Sequence, residues 1–427
     1  AIRGELIDFE NEKYYKISNH DQMRPFFMSI VSESNHWMVI SSTGGLTAGR
    51  QNSESALLPY YTDDKLTEAA DITGSKSILR VGKGGKTYLW EPFSSRYEGL
   101  YKIQRNLYKN SLGNKVVFEE NNLDLGLTFR YQWSSSDRFG FVKQSKLINT
   151  SAKSVEVVLV DGIQNILPYG VPSNLQNARS NLVDAYKKCE LEVDSGIGIY
   201  ALSAIIVDKA EPSEALKATS VWSTGIEKPF HLLSSLQLDK FRKGLKISKE
   251  IDIKAEKGAY FVGTDLNLEP GAEKTWMIVA EVNQTMLDIA EISELLRNGS
   301  DAEVEVRKDV ESGSKNLIGL NASADGLQTT ADKLVNTRHF ANTLFNIMRG
   351  GVFDNGYQIE KWDFVQYIEF HNKKVFKKKE ELLDALPEIF SLAHLKELAR
   401  LDEDKNFKRL AMEYMPLKFS RRHGDPS

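Results

Sequence analysis

Short apolar runs broken by turn residues fill the first three quarters of the chain, and the clearest pair lies between Phe141 and Val160. Phe141-Val142-Lys143-Gln144-Ser145-Lys146-Leu147-Ile148 reads as one strand, Asn149 to Ser154 as a polar turn, and Val155-Glu156-Val157-Val158-Leu159-Val160 as a second strand. The second arm is almost entirely β-branched residues and Leu, and it is too short for a helix. The two arms are expected to form a hairpin. Alternation puts Val155, Val157 and Leu159 on one face and Val158 and Val160 on the other. Apolar residues on both faces place this pair inside a large sheet assembly.

The same reading extends outward. Met28 to Val31 and Trp37 to Ser41 are expected as the first strands, followed by a tight loop over Gly44-Gly45-Leu46-Thr47-Ala48-Gly49 and a polar stretch from Gln51 to Asp64. Ser77 to Val81 and Thr87 to Trp90 flank Gly82-Lys83-Gly84-Gly85-Lys86, a hairpin whose glycines suit positive φ. Tyr97–Tyr108, Lys115–Glu119, Leu125–Trp133, Ile197–Val207, Ala259–Val262 and Thr275–Ala280 continue the strand pattern. Thr285 is placed to cap a helix carrying Met286, Ile289, Ala290, Ile292 and Leu296, stopped at Asn298-Gly299.

Near residue 320 the pattern changes. Residues 327–427 hold only 4 of the 29 glycines and 3 of the 11 prolines, which argues for helices in place of turn-rich strands. Ser312-Gly313-Ser314 and Asn321 to Gly326 read as flexible punctuation, giving a sandwich over 1–318 and a helical segment over 319–427. A helix is expected from Ala331 to Gly350-Gly351, a second from Trp362 to Phe370 with Trp362, Val365 and Ile368 apolar, and two more around Pro387.

Composition narrows the function classes. With 427 residues, 41% hydrophobic and 27% charged, the chain has ample material for two cores. A net charge of −4 gives no basic face for nucleic acid. No apolar run reaches the roughly 18 residues of a membrane helix. The single Cys189 excludes an internal disulfide. Ala1 to Glu5 lack an apolar signal core, so the cytoplasm is the expected compartment, or the periplasm if a signal peptide has been removed.

Several motifs fail on their surroundings. Gly85-Lys86-Thr87 lacks the earlier glycine of a phosphate-binding loop, since Arg80 stands there, and a strand follows it. Gly44 to Gly49 has the wrong spacing for a dinucleotide fingerprint. His20, His36, His231, His339, His371, His394 and His423 include no pair at helix-face ligand spacing, so no metal and no resident cofactor is expected. Lys373-Lys374 and Lys377-Lys378-Lys379 run into Glu380-Glu381, a solvated helix face with cross-turn ion pairs. Asn149-Thr150-Ser151 matches a glycosylation acceptor but is explained as a turn.

The order of features resembles the cellobiose phosphorylase family, glycoside hydrolase family 94. The residues that carry this are Met28 to Gly45, Lys86-Thr87-Tyr88-Leu89-Trp90-Glu91-Pro92-Phe93-Ser94, the Phe141–Val160 pair, and Leu268-Glu269-Pro270-Gly271-Ala272-Glu273-Lys274 with the strand and helix after it. The resemblance covers about residues 24–300. It implies a mainly β chain: a large antiparallel, galactose mutarotase-like β-supersandwich, then a helical linker leading to an (α/α)6 barrel that carries the chemistry. It further implies inversion at the anomeric carbon, with an acid protonating the leaving oxygen and phosphate or activated water attacking the opposite face. Inorganic phosphate would then be a co-substrate, an oligo- or disaccharide the partner, and a homodimer through the sandwich an option. The family's acid lies in a Gly-Asp-Trp-Asn-Asp-like motif. Gly424-Asp425 matches its first two letters but is followed by Pro426-Ser427, so the role is not carried over.

Candidate sugar contacts are therefore drawn from residue chemistry. Trp90, Tyr88, Trp133, Arg50 and Tyr60 offer aromatic faces and a guanidinium, although such residues more often serve packing. Arg421, Arg422, His423 and Asp425 crowd five positions with forks for phosphate or hydroxyls and a His/Asp pair for proton work. Two functions remain: the N-terminal part of a glycoside phosphorylase- or hydrolase-like enzyme, inactive by itself and serving barrel support, dimerisation and carbohydrate binding, or a stand-alone carbohydrate-binding or assembly protein. A third, weaker reading is a mutarotase-like sandwich, which needs a His and a Glu facing each other in a sheet cleft.

Overall fold

A computed structural model of the chain describes residues 1–427 except 62, 177–180, 204–215, 299–300, 325, 349–351, 354–357, 415–416 and 419–427. It forms two compact units, Ala1–Thr337 and Arg338–Ser427.

The first unit is a large antiparallel β-sandwich. Its 11-stranded sheet runs, in spatial order, Arg3–Phe9, Glu12–Ser18, Ile103–Asn110, Val116–Asn122, Leu127–Ser136, Gly140–Asn149, Glu273–Gln284, Ala218–Thr224, Ile197–Leu202, Lys187–Glu192 and Asp252–Lys254. A five-stranded sheet runs Phe230–Leu232, Gly258–Leu268, Val155–Ile166, Gly74–Lys83 and Lys86–Trp90, and a four-stranded sheet takes Phe27–Ser29, His36–Ser41, Leu46–Arg50 and Ala56–Leu58. The chain is thus mainly β, with helices following the sandwich. Alternation builds the core between the sheets: Phe118, Phe129, Tyr131, Trp133 and Trp276 from the large sheet meet Leu79, Val81, Val157, Leu159 and Val262 from the smaller one.

The expected Phe141–Val160 hairpin is corrected. Both arms are strands, and Val155, Val157 and Leu159 are buried together, but the arms do not pair with each other. Gly140–Asn149 lies between Leu127–Ser136 and Glu273–Gln284 in the large sheet, so both its edges are already filled. Val155–Ile166 joins the smaller sheet between Gly258–Leu268 and Gly74–Lys83. The polar stretch is therefore an arch between layers. Asn149, fully buried, braces it by donating to the carbonyls of Lys153 and Leu268, each at 2.8 Å. The outer face of the smaller sheet is covered as expected for a two-sided strand: Val160 and Ile78 pack with Leu238 and Phe241.

The arch brings an ion pair into the middle of the sandwich. Asp161 accepts hydrogen bonds from Lys143 Nζ at 2.6 Å, Ser77 Oγ at 2.6 Å, Ser145 Oγ at 2.8 Å and Trp276 Nε1 at 2.7 Å. Lys143 is 0% exposed and Asp161 1%. Burial pulls the Lys143 pKa down, against the attraction of Asp161.

Other elements also depart from the pattern reading. The chain opens with the paired strands Arg3–Phe9 and Glu12–Ser18, which charged residues conceal. Gly44 to Gly49 is a turn leading into a strand, not a loop throughout. Gly49 is required there because a Cβ would lie 2.2 Å from the Trp37 ring. The Gly84-Gly85 hairpin forms as expected, with φ of 60° and 75°. Thr285 caps Met286–Arg297 reciprocally with Asp288, and the helix ends at Asn298. The flexible punctuation at Ser312-Gly313-Ser314 is corrected to the interior of a helix, Ala302–Ser323, capped by Asp301. Small residues serve close packing here: Asn114 donates to Ser314 Oγ at 2.9 Å, while Val306 and Val310 cover Val142 and Val279 on the outer face of the large sheet.

The second unit has its own core, built on Ile359, Phe364, Ile368, Leu395, Phe407 and Leu410. Helix Lys361–His371 buries Phe364 and Ile368 and leaves Trp362 63% exposed, so the expected Trp362 face is rotated. Gln358–Glu360 pairs with Ile389–Ser391, and helices Leu392–Leu401 and Lys405–Glu413 close the core. The lysine run forms its ion pairs across the fold: Lys379 reaches Asp402 at 2.6 Å and Lys378 reaches Asp404 at 2.7 Å.

Removing one partner of a buried ion pair leaves the other charge stranded. Asp161→Ala, which strands Lys143 and three further donors, is expected to cost about 3–5 kcal/mol in denaturant unfolding, and Lys143→Met clearly less. Equal losses would show that Asp161 is not the hub.

Candidate functional site

A cleft of about 380 Å³ opens in the sandwich where the three sheets approach one another. Phe118 and Tyr131, on neighbouring strands of the large sheet, close its base and are themselves buried, while Phe93, just after Lys86–Trp90, is the half-buried ring beside it. Phe118 and Tyr131 stack at 5.0 Å, and the Phe93 ring stands edge-on to Tyr131 at 5.1 Å. His20, from the turn after Glu12–Ser18, meets the edge of Phe118 at 6.0 Å. Gly44, at φ 97°, packs close to the Tyr131 hydroxyl, since a Cβ there would lie 3.0 Å from that oxygen.

Phe93 is held in a strained backbone. Its φ of 65° is left-handed, a conformation that costs a bulky residue about 1–3 kcal/mol unless its surroundings impose it. Here Glu120 imposes it: its carboxylate accepts from Phe93 N, Trp90 Nε1 and Arg105 Nε, each at 2.7 Å. Arg105 in turn donates to the Ser94 carbonyl at 3.1 Å. A second carboxylate, Glu91, accepts from Lys76 Nζ at 2.9 Å and from Arg242 Nε and Nη2, both at 2.9 Å. Burial alone would raise the Glu91 pKa, but Arg242 and Lys76 overcome it and hold the carboxyl below its usual range. Lys76 also pairs with Asp71, which Arg96 approaches at 3.5 Å.

His20 supplies the least satisfied polar group. It is 4% exposed; Nε2 lies 3.1 Å from the Ser42 carbonyl and Nδ1 has no partner at hydrogen-bonding geometry. Its pKa is lowered, chiefly by burial, so the ring is neutral near pH 7. The arrangement suits recognition better than proton transfer. Glu91 and Glu120, the deeply buried acids here, are both committed to cations, and neither faces His20 as a free partner in the way a mutarotase-like site requires.

The residues proposed from the sequence fall elsewhere. Trp90 is 2% exposed and committed to Glu120, and Trp133 is 0% exposed in the core; neither can present a ring to a ligand, which corrects both readings. Arg50 is tied to Glu281 and to Asp137, the latter at 3.0 Å, and stands outside the cleft. Tyr60 is 44% exposed, edge-on to Trp37, and Tyr88 is half-buried on an edge strand. Arg421, Arg422, His423 and Asp425 lie outside the described residues. Sequence reasoning missed His20, Phe93, Lys76, Arg105 and Tyr131 as a group. Phe93 and Glu91 sit in the quoted Trp90-Glu91-Pro92-Phe93-Ser94 segment, the one local signal. Among the described residues, no His, Cys, Asp and Glu group is arranged to hold a metal ion, and no helix is long and apolar enough to cross a membrane.

Residues 353–416 match glycoside hydrolase family 149 insertion domain 1. That stretch is the greater part of the second unit. No curated protein sequence matches the chain. Among solved structures, it is similar to a bacterial glucoamylase complexed with acarbose at 9% identity and a TM-score of 0.43, over 93% of this chain and 54% of that one. A putative kojibiose phosphorylase from the human microbiome aligns at 10% identity and a TM-score of 0.32, over 87% of this chain and 42% of its own. A GalM/aldose epimerase homologue from C. elegans aligns at 11% identity and a TM-score of 0.36, over 61% of this chain and all of its own. The chain thus spans about half the length of the glucoamylase.

Buried neutral histidines make the sandwich acid-sensitive. Burial lowers the pKa of His20, takes His231 to about 4 and His36 to about 3, against an ordinary 6.5. An unfolded chain takes up these protons near 6.5 while the folded one does not, so their stabilisation is complete above 6.5 and is lost as pH falls toward 4 and 3. Glu281, raised to about 7 mainly by burial, acts with the opposite sign, its contribution fading as pH rises through 7. Three groups against one predict a melting temperature that falls from pH 7 to pH 4.5, with a shallower fall in His231→Leu; a flat profile would contradict the burial of these rings.

Proposed function

We propose that this chain is the sandwich and insertion portion of a carbohydrate-active enzyme that resembles inverting glycoside phosphorylases and hydrolases, and that it provides carbohydrate binding and structural support. The observation that carries this reading is the match of residues 353–416 to a glycoside hydrolase family 149 insertion domain. Beside the sandwich cleft, the buried acids Glu91 and Glu120 are held by fixed cations, which supports the same view. In this reading phosphate is a co-substrate of the whole enzyme, an oligo- or disaccharide its partner, the sandwich a surface for homodimerisation, and the compartment cytoplasmic.

The test is direct. The purified 427-residue chain is expected to release neither sugar nor sugar 1-phosphate from disaccharides, with or without phosphate. Release above that of a heat-inactivated control would overturn the division of labour. Arg421, Arg422, His423 and Asp425 are proposed as sugar or phosphate contacts of the complete enzyme. A guanidinium fork is not replaced by an ammonium, so Arg421→Lys or Arg422→Lys should lower turnover or apparent substrate affinity there and leave the melting temperature unchanged. Unaltered kinetics in both variants would remove the run from the site.

A further inference from the structure

We propose that the sandwich cleft is itself a binding site for one neutral pyranose ring, seated against Phe93 beside His20. This deepens the carbohydrate reading above and rests on it for the ligand class.

Four features of the cleft converge on such an occupant. Its volume, about 380 Å³, falls in the range of small-molecule sites, which combine apolar walls with a few fixed polar groups. A pyranose has that same mixed character: C–H faces that pack on aromatic rings and hydroxyls that need donors and acceptors around the rim. Phe93, half-buried, supplies the aromatic face, and the buried Phe118 and Tyr131 back it. The backbone strain at Phe93 is the second feature. Glycine would meet the turn's need for positive φ without penalty, yet a phenylalanine occupies it and Glu120 is dedicated to holding it there. Strain of this kind collects at sites where a side chain must be presented in one direction.

His20 is the third. A ring 96% buried with an unpartnered Nδ1 is an exception to the rule that buried polar atoms are satisfied, and a ligand hydroxyl at the cleft would satisfy it. The fourth is charge. The cations bordering the cleft are spent: Lys76 on Asp71 and Glu91, and Arg105 on Glu120. Asp21 and Glu68 also line it, so the balance is acidic. An anionic ligand such as phosphate or a sugar phosphate would be repelled; a neutral sugar would not.

Calorimetric titration of the intact chain with glucose, galactose, cellobiose and maltose, and with inorganic phosphate and glucose 1-phosphate, tests this. At least one neutral sugar is expected to bind saturably, and more tightly than either anion. Phe93→Gly keeps the positive φ and removes the ring; it should weaken that sugar about tenfold or more. Phe93→Leu keeps apolar bulk at that position and removes only the aromatic face, so it should fold and bind several-fold more weakly, which keeps the test decisive if Phe93→Gly does not fold. No saturable binding by the folded wild-type chain, binding unaffected by both variants, or a preference for the anions would each overturn the proposal. The enzyme reading would survive any of those results, because it is tested separately by the absence of sugar release from this chain.

Discussion

Asp161 lies midway along Val155–Ile166 in the smaller sheet, and its four donors come from both layers. Lys143, Ser145 and Trp276 reach it from the large sheet, and Ser77 from the adjacent strand of the smaller one. Apolar packing between sheets is non-directional and tolerates slippage by one residue only by turning every side chain over. A buried carboxylate with four fixed donors does not tolerate it, because a shift of either sheet would strand a charge in the core. Desolvating Lys143 and Asp161 costs heavily, and the pair is better understood as fixing which residues face each other than as a source of net stability.

The same hub borders the cleft. Ser77 donates to Asp161 and also lines the cleft wall, and the Lys143 ammonium lies 5.6 Å from the centre of the Tyr131 ring whose edge meets Phe93. Glu120 and Glu91 extend this scheme outward, each a carboxylate that gathers donors from separate elements: Glu120 from Trp90, Phe93 and Arg105, Glu91 from Lys76 and Arg242. Phe93 is thus held against the buried Phe118 and Tyr131 in a region braced by acids whose oxygens are occupied by fixed donors.

How much of this could be read in the sequence follows from what alternation encodes. Strand existence was legible over Phe141–Val160, Ser77–Trp90 and Thr275–Ala280, because a half-buried strand must repeat with a period of two. Partnership was not, since a hairpin and an arch between sheets show the same two apolar runs and the same polar turn. Lys143 offered no warning either: a lysine inside an apolar run normally faces solvent, and only the distant Asp161 makes its burial tolerable. Ser312-Gly313-Ser314 misled for a related reason. Small polar residues mark flexible linkers when solvated, but on a helix laid against a sheet they permit close approach.

The cleft was the least legible part, for a geometric reason. His20, Gly44, Lys76, Phe93, Arg105 and Tyr131 are spread over more than a hundred residues and come from different strands and turns, so no local spacing joins them. The tryptophans that looked like sugar platforms are the largest apolar groups in strand runs, and size drives them into the core before function can use them. Trp90 still matters to the cleft, one step removed: its indole N–H helps orient Glu120, and Glu120 holds Phe93 in its left-handed backbone. A side chain chosen for its aromatic face thus acts through its one polar atom, while the ring exposed to the cleft belongs to a residue three positions later that the alternation pattern had no means to single out.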